Sequence, residues 1–245
     1  SEGGVARLLK NLIDGELIYE DIHTVAGLGL SHYTKVPTIG VSQSSELQWE
    51  ELAIHSKPLK SITTAHKPYK PNGGIKFIGG DIAEGLIKVS ALKNENEIIS
   101  APVRVFLTQD EVLNAYADAE LNQDMILVLL GQSPSINGMP ELHKLTSPIN
   151  VLQKRGYKIA LVTDGRMSGA SGSFPALIHA VSENNNLYKI RTGDILTLDL
   201  KERMLTIDSD EYKKRAAIEI APSNIGLGRE LFKIFRDNVS SVKLG

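Results

Sequence analysis

Two loops of this 245-residue sequence carry the residue types that could do chemistry, and each follows a short apolar run. The first loop, residues 131–141, ends in the carboxylate of Glu141. The second, residues 163–173, holds Asp164, Arg166 and Ser168 among three glycines. In open α/β sheets, ligands bind beyond the carboxyl ends of the strands. We therefore expect both loops to face one substrate-binding edge.

The glycine-rich second loop is compatible with two interpretations. Glycine permits positive φ and lets the backbone approach a ligand closely. A helix predicted from Pro175 to about Glu183 would present its free N–H groups to an anion. Alternatively, the loop is a tight strand-to-helix turn capped by Ser171 or Ser173. The residues leave both open, although the spacing matches neither a Walker phosphate loop nor a nucleophile elbow.

Glu141 also has two interpretations. A carboxylate at a helix start often only complements the helix dipole. It could instead be a magnesium ligand, because Mg²⁺ is commonly held by one or two carboxylates and completes its coordination with water or substrate. His143 and His179 have no partner at a recognisable metal-ligand spacing, so we interpret both as structural.

Composition bounds the class of protein. With 42% hydrophobic and 23% charged residues, the chain can bury a sizeable core. A net charge of −2 gives no support for binding nucleic acid or a membrane surface. No apolar run approaches the ~18 residues of a membrane span, and the first residues are unlike a signal peptide, so a cytoplasmic location is expected. The absence of cysteine excludes disulfides, a thiolate nucleophile and a cysteine-ligated cluster or zinc within this chain.

The elements that position these loops can be predicted from periodicity. Apolar residues from Val5 to Ile13 recur at helical spacing, and Gly15 is expected to end that helix. Residues 36–72 contain four prolines and no sustained period, which indicates a long connection. We therefore expect residues 1–72 to be the end of a larger N-terminal domain plus a linker, and residues 73–245 to form one domain.

Strands and helices alternate in residues 73–245, with a capping-box pattern at Thr108–Glu111. This mixture predicts an α/β fold with a mixed or barrel-like β-sheet flanked by helices. Strands are predicted at 76–78, 85–90, 103–106, 125–130 and 158–162, a hairpin at 195–200 and 204–207, and helices at 108–120, 141–155, 175–183 and 229–238.

Longer motifs indicate a family. ALVTDGRMSGASG at 160–172, followed by PALIHAVSE at 175–183, resembles a signature of the dihydroxy-acid and phosphogluconate dehydratase family. NGMPELHKLT at 137–146 resembles a second signature, in the form typical of the phosphogluconate branch. DIHTVAGLGLSHYT, GLIKVSA and GRELFKIFR are also similar to that branch, so the resemblance spans essentially the whole chain.

The resemblance implies a swivelling β/β/α-like C-terminal domain and a hydro-lyase of the Entner–Doudoroff pathway. The implied reaction is dehydration of 6-phospho-D-gluconate to 2-dehydro-3-deoxy-6-phospho-D-gluconate. Ser168 would be the catalytic base and Glu141 one Mg²⁺ ligand, while Asp164, Arg166 and Gly169 would contact substrate. A [4Fe–4S] iron–sulfur cluster would be held by an N-terminal domain absent from this chain, in a homodimeric enzyme.

Some positions depart from the family pattern. Ser133 and Ser135 stand where relatives usually show a glycine and a basic residue, Asp81 replaces an asparagine, and Ser173 replaces a lysine. Two alternatives stay open: a sugar-acid or dihydroxy-acid dehydratase of the same family, and a non-catalytic swivel-like module. Because the chain has no cysteine, we expect it by itself to bind no cluster and to be inactive as a dehydratase.

Overall fold

The chain divides into two units, residues 1–72 and 73–245. The computed structural model describes residues 2–39, 47–53, 60–70, 72–94, 97–168, 173–222 and 230–240. In the described part of these units, none of the helices combines the length and apolarity needed to cross a bilayer.

The first unit begins with helix α1 (Gly4–Asp14), capped by Gly15 as predicted. Two short antiparallel pairs follow, β1 (His23–Thr24) with β2 (Gly27–Leu28), and β3 (Val36–Ile39) with β4 (Leu47–Glu50). The prediction that the sequence is irregular from residue 36 onward is therefore wrong for its first part. Pro37 conceals the strand signal, but a two-stranded pair has only edge strands, where proline is tolerated.

The described part of the first unit contains no buried core. None of the described residues between 2 and 72 is buried, and Trp49 and Val25 are among its exposed apolar side chains. Polar contacts hold its turns together instead, since the Glu2 carboxylate accepts the backbone N–H groups of Lys60, Ser61 and Ile62. Hydrophobic burial, the main stabilising contribution to a domain, is therefore missing from those residues of the unit that the structure describes.

The second unit contains an eight-stranded mixed sheet in the order β12-β11-β7-β8-β9-β10-β6-β5. The adjacent pairs from β7 to β10 are parallel and the other pairs are antiparallel. This arrangement confirms the predicted fold class. The strands are β5 (Ile75–Ile78), β6 (Glu84–Lys88), β7 (Ile98–Phe106), β8 (Met125–Leu129), β9 (Ile159–Thr163), β10 (Ala176–Val181), β11 (Ile195–Asp199) and β12 (Met204–Ile207).

The two outer strands of this sheet meet, so the sheet is nearly a closed barrel. Gly79, after β5, forms a parallel bridge with Met204 of β12. Its N–H donates to the carbonyl of Arg203 at 3.0 Å, and its carbonyl accepts the N–H of Leu205 at 2.8 Å. Gly80 lies against the same strand at φ +140°, where a Cβ would stand 2.3 Å from the Leu205 carbonyl oxygen. Only glycine allows this approach.

Two apolar clusters lie on the two faces of the sheet. One draws residues from all eight strands and fills the barrel, including Ile126 and Val128 of β8. The other includes Leu127 and Leu129 of β8 and packs against the helices. Because successive side chains of a strand point to opposite faces, the uninterrupted apolar run of β8 serves both clusters. The α-helices among the described residues of this unit are α2 (Gln109–Ala117), α3 (Pro134–Asn137), α4 (Thr146–Lys154) and α5 (Lys233–Asn238).

Several predicted elements are confirmed. Helix α2 begins after Thr108, whose Oγ1 accepts the N–H of Glu111 at 3.1 Å. Strands β11 and β12 form the predicted hairpin. Helix α5 lies within the predicted C-terminal helix, whose first residue, 229, is outside the described residues.

The helix predicted from Pro175 to Glu183 is wrong. Residues 176–181 form strand β10, which pairs in parallel with β9, and a 3-10 helix follows at Glu183–Lys189. A short apolar run of this kind fits a buried strand as well as a helix. Residues 164–175 provide the roughly dozen-residue crossover that two parallel neighbours need. The anion site predicted at a helix start after this loop therefore does not exist as such.

Candidate functional site

The carboxyl ends of β8 and β9 are joined by the side chain of Asp164, the first residue after β9. This carboxylate is 3% exposed. It accepts three consecutive backbone N–H groups of the loop after β8, from Gly131 at 3.1 Å, Gln132 at 2.9 Å and Ser133 at 3.2 Å. The loop that leads to Glu141 is thus fixed to the strand that leads to Ser168.

A fourth donor completes the surroundings of Asp164. The Tyr188 hydroxyl donates to its Oδ2 at 2.8 Å. Burial raises the pKa of Asp164, and the four hydrogen bonds counteract part of that rise. The pKa of Tyr188 is also raised, by its own burial and by the negative charge of Asp164. With about four acceptor positions on a carboxylate and four donors around it, Asp164 acts here as a positioning group for the two loops.

The loop after β8 depends on a glycine and an amide. Gly131 has φ +76°, and a Cβ there would lie 2.9 Å from Cγ2 of Ile220. Gln132 is buried and donates from Nε2 to the carbonyls of Leu107 and Leu130, at 2.8 and 3.0 Å. Since Leu107 directly follows β7, these bonds attach the loop to a third strand end.

Glu141 does not lie in a helix. A 3-10 helix begins only at His143 and α4 only at Thr146, so the predicted helix start at 141 and the first-turn role for its carboxylate are both wrong. Instead, Glu141 forms a parallel bridge with Arg166, and the N–H of Leu142 donates to the Arg166 carbonyl at 3.2 Å. This backbone pairing brings the two chemistry-bearing loops side by side.

The structure brings together Glu141, Arg166 and Ser168. Oε1 of Glu141 accepts the backbone N–H of Ser168 at 2.6 Å, and Oε2 lies 3.4 Å from Nη1 of Arg166. The guanidinium also donates from Nε to the Met139 carbonyl at 2.8 Å. The Glu141 and Arg166 side chains are 26% and 50% exposed, so both can be reached by a ligand. Gly169, the remaining predicted substrate contact, lies outside the described residues.

The described side chains of this site provide one suitable metal ligand. Glu141 offers a partly exposed carboxylate, which is a suitable oxygen ligand for Mg²⁺. Within the described ranges, no group of three or more histidine, cysteine or acidic side chains could hold a metal ion by itself. A magnesium ion bound at Glu141 would therefore need ligands from elsewhere. A cysteine-held cluster does not fit this chain, because its sequence contains no cysteine.

Gln132 and Tyr188 are the residues that sequence reasoning missed. Gln132 lies in the first loop, but nothing in its neighbours indicates that its amide reaches two strand ends. Tyr188 lies 24 positions after its partner Asp164, beyond a strand predicted as a helix. Only the order of strands in the sheet brings these groups together.

A profile of the C-terminal domain of dihydroxy-acid/6-phosphogluconate dehydratases matches residues 60–245, which include every residue of the Glu141 and Ser168 loops. The chain belongs to this dehydratase family. The family resemblance expected from the motifs at 137–146 and 160–172 is thereby confirmed.

Individual relatives of the dehydratase family match over 87–99% of this chain. A phosphogluconate dehydratase of Pseudomonas aeruginosa is 41% identical over 99% of this chain and 40% of its own length. The phosphogluconate dehydratase of Escherichia coli K12 is 40% identical over 99% of the chain and 41% of its own length. A dihydroxy-acid dehydratase of Sulfurisphaera tokodaii is 30% identical over 87% of the chain. The chain spans about two fifths of the length of the relatives named phosphogluconate dehydratase.

Proposed function

We propose that this chain is the C-terminal part of a phosphogluconate dehydratase, which converts 6-phospho-D-gluconate to 2-dehydro-3-deoxy-6-phospho-D-gluconate. The observation that carries the proposal is the contact between the Glu141 carboxylate and the backbone of Ser168, 2.6 Å apart. This contact joins the two motifs of the family at one edge of the barrel. Identities of about 40% to enzymes of that name support the substrate.

The chemistry removes a proton from C2 of the sugar acid and the hydroxyl from C3, which leaves as water. Ser168 takes the C2 proton as general base. The C3 hydroxyl gains a proton as it leaves as water, and the resulting enol becomes the 2-keto product by gaining a proton at C3 and losing the proton of its C2 hydroxyl. A serine hydroxyl is normally protonated at neutral pH, so the base form needs positive charge nearby. Arg166, two residues before the serine, brings a guanidinium to the same edge.

Two groups from outside this chain complete the proposal. Glu141 would be one ligand of a Mg²⁺ ion. The iron–sulfur cluster would be held by cysteines of an N-terminal domain. When bound, these groups supply Lewis-acid character that stabilises negative charge on substrate oxygens.

The same proposal covers the partners. Residues 1–72 would be the end of the cluster-bearing domain plus its linker, and the lack of a buried residue in the described part of that unit supports this origin. The enzyme would act in the cytoplasm as a homodimer. Separate tests address the assembly: the full-length protein should sediment as two chains, and the isolated chain should carry no iron and no dehydratase activity.

A second substrate class has a specific observation in its favour. The matching profile describes both dihydroxy-acid and 6-phosphogluconate dehydratases, and one matching relative is a dihydroxy-acid dehydratase. The lower identity of that relative, 30% against 41%, favours the phosphorylated sugar acid. Turnover of 6-phosphogluconate, unphosphorylated sugar acids and a branched-chain dihydroxy acid by the full-length enzyme separates these possibilities.

The Ser168→Ala substitution in the full-length enzyme tests the mechanism. If Ser168 is the base, kcat falls roughly 10²–10⁴-fold, while KM and the melting temperature change little. Ser173→Ala is the matched control, because Ser173 lies in the same crossover but hydrogen-bonds Asn150 instead. Near-normal turnover by Ser168→Ala would refute the assignment of Ser168 as the base.

A further inference from the structure

His179 has an unusual backbone for a strand residue. It lies in β10 but has φ 53°, in the left-handed region that non-glycine residues rarely adopt. The register between β10 and β6 shifts between Ile178 and Val181, so His179 sits at a bulge-like irregularity of the strand pairing. Bulges are enriched beside active sites, where they re-aim a side chain, and a backbone outlier justifies a hypothesis of function.

The irregularity attaches His179 to the loop that carries the candidate base. Its backbone N–H donates to the carbonyl of Gly165 at 2.9 Å, between Asp164 and Arg166. Strand β10 runs parallel to β9. The irregularity near the carboxyl end of β10 therefore lies at the same edge of the sheet as the Glu141 and Ser168 loops. The histidine is therefore held beside the proposed site by the main chain.

The imidazole of His179 is only partly buried and has no hydrogen-bond partner in the described part of the chain. Burial and the positive charge of Arg166 lower the pKa of His179 below its usual value, which favours the neutral ring. A neutral imidazole presents one donor and one acceptor. A structural histidine would be expected to use both within the protein, and among the described residues this one uses neither.

We propose that His179 is a further substrate-contacting residue of the dehydratase site, whose imidazole hydrogen-bonds a hydroxyl group of the sugar acid. This inference rests on the proposed function. A hydroxyl matches an imidazole in offering both a donor and an acceptor, whereas the anionic carboxylate of the substrate is better matched by the Arg166 guanidinium.

The test uses the full-length enzyme with His179→Gly and His179→Asn, since glycine and asparagine both tolerate the left-handed backbone. With 6-phospho-D-gluconate, we expect kcat/KM of His179→Gly to fall about tenfold, the effect of one lost hydrogen bond. KM should account for most of the loss, because the contact exists before and during the reaction. The kcat/KM of His179→Asn, whose shorter side chain keeps a donor and an acceptor, should lie between those of wild type and His179→Gly.

Ala119→Gly is the matched control. Ala119 also has positive φ, 59°, but it lies after helix α2 and is exposed. This substitution should raise the melting temperature slightly and leave kcat/KM unchanged, because it relieves backbone strain away from the site. Added imidazole should restore part of the activity of His179→Gly and none of that of Ser168→Ala.

Two results would overturn the proposal for His179. One is kcat/KM of His179→Gly within twofold of wild type. The other is a fall in kcat/KM that tracks a lower melting temperature and that neither imidazole nor the asparagine variant reverses, which would make His179 a structural residue. A wild-type enzyme without dehydratase activity on any of the tested substrates would instead refute the proposed function itself.

Discussion

Two carboxylates at the same edge of the barrel have opposite surroundings. Asp164 is buried and accepts four hydrogen bonds, three of them from consecutive backbone N–H groups. Glu141 is partly exposed, accepts one backbone N–H and faces a guanidinium across a longer contact of 3.4 Å. The acceptor positions of Asp164 are occupied, whereas Glu141 is accessible to a ligand. This difference indicates different functions for the two carboxylates.

The two carboxylates therefore have different roles, one structural and one available for ligand binding, within the region that contains both family motifs. A carboxylate whose acceptor positions are all occupied cannot also bind a ligand without losing a partner. Asp164 therefore fixes the loop geometry, even though the family resemblance makes it a predicted substrate contact. Glu141 keeps coordination capacity, so the proposed magnesium ligand is the residue whose surroundings allow that role. Asp164 as a substrate contact stays a prediction.

The largest expected effect comes from Asp164→Ala. Two buried N–H groups, a part-buried N–H group and a part-buried hydroxyl would lose their acceptor, so we expect the free energy of unfolding of the chain to fall by about 3–4 kcal/mol. Chemical denaturation monitored by circular dichroism measures this change in the free energy of unfolding. The matched control is Asp124→Ala at the opposite ends of β8 and β9, where an exposed carboxylate accepts one N–H, from Lys158 at 2.8 Å. Equal losses for the two variants would contradict a special role for Asp164.

Glu141→Gln should show the reverse pattern. The folded state keeps a side-chain oxygen for the Ser168 N–H, so stability should change little. Turnover by the full-length enzyme should fall at least roughly 100-fold, and the Mg²⁺ concentration for half-maximal activity should rise, because a charged ligand is lost. Glu120→Gln, which removes the charge of another glutamate paired with an arginine, Arg104, is the control. Unchanged Mg²⁺ dependence of Glu141→Gln would contradict the ligand assignment.

A smaller effect is expected for Tyr188→Phe. One donor to Asp164 is removed while the three backbone N–H groups remain, so the free energy of unfolding should fall by about 1.5 kcal/mol. The pKa of Asp164 should rise further, since a hydrogen bond to its charged form is lost. A loss as large as that of Asp164→Ala would mean that the backbone donors contribute little.

The smallest effect concerns pH. The pKa of His179 is lowered on folding, so the unfolded chain binds more protons as the pH falls below its usual value of 6.5. The stability that His179 contributes is present above that value and is lost as the pH falls through the folded pKa. Thermal melts at pH 7.5 and 5.5 should show a slightly larger acid loss for wild type than for His179→Asn. Identical pH dependence would contradict a lowered pKa.

Sequence patterns predict the elements that support the two carboxylates better than they predict the surroundings of each carboxylate. The continuous apolar run of β8 and the capping box at Thr108 depend on neighbouring residues, and both were confirmed. The local pattern wrongly predicts a helix at residues 176–181, because their strand state is decided by pairing with β9 and with β6, which lies far earlier in the chain. The family motifs identified Glu141 and Ser168 as a pair. Nothing local could show that Asp164 is saturated, since its donors lie over 20 residues away on both sides.

The bridge that closes the barrel at Gly79 has a consequence for how the protein meets other molecules. Exposed strand edges are templates for pairing with foreign chains. Here β5 and β12 cover part of each other's edge with two backbone bonds, and Gly80 permits the contact. A side chain at residue 80 would push the two strands apart. We expect such a substitution first to make the protein insoluble, because the freed strand edges of different molecules would pair before the interior of the barrel is exposed.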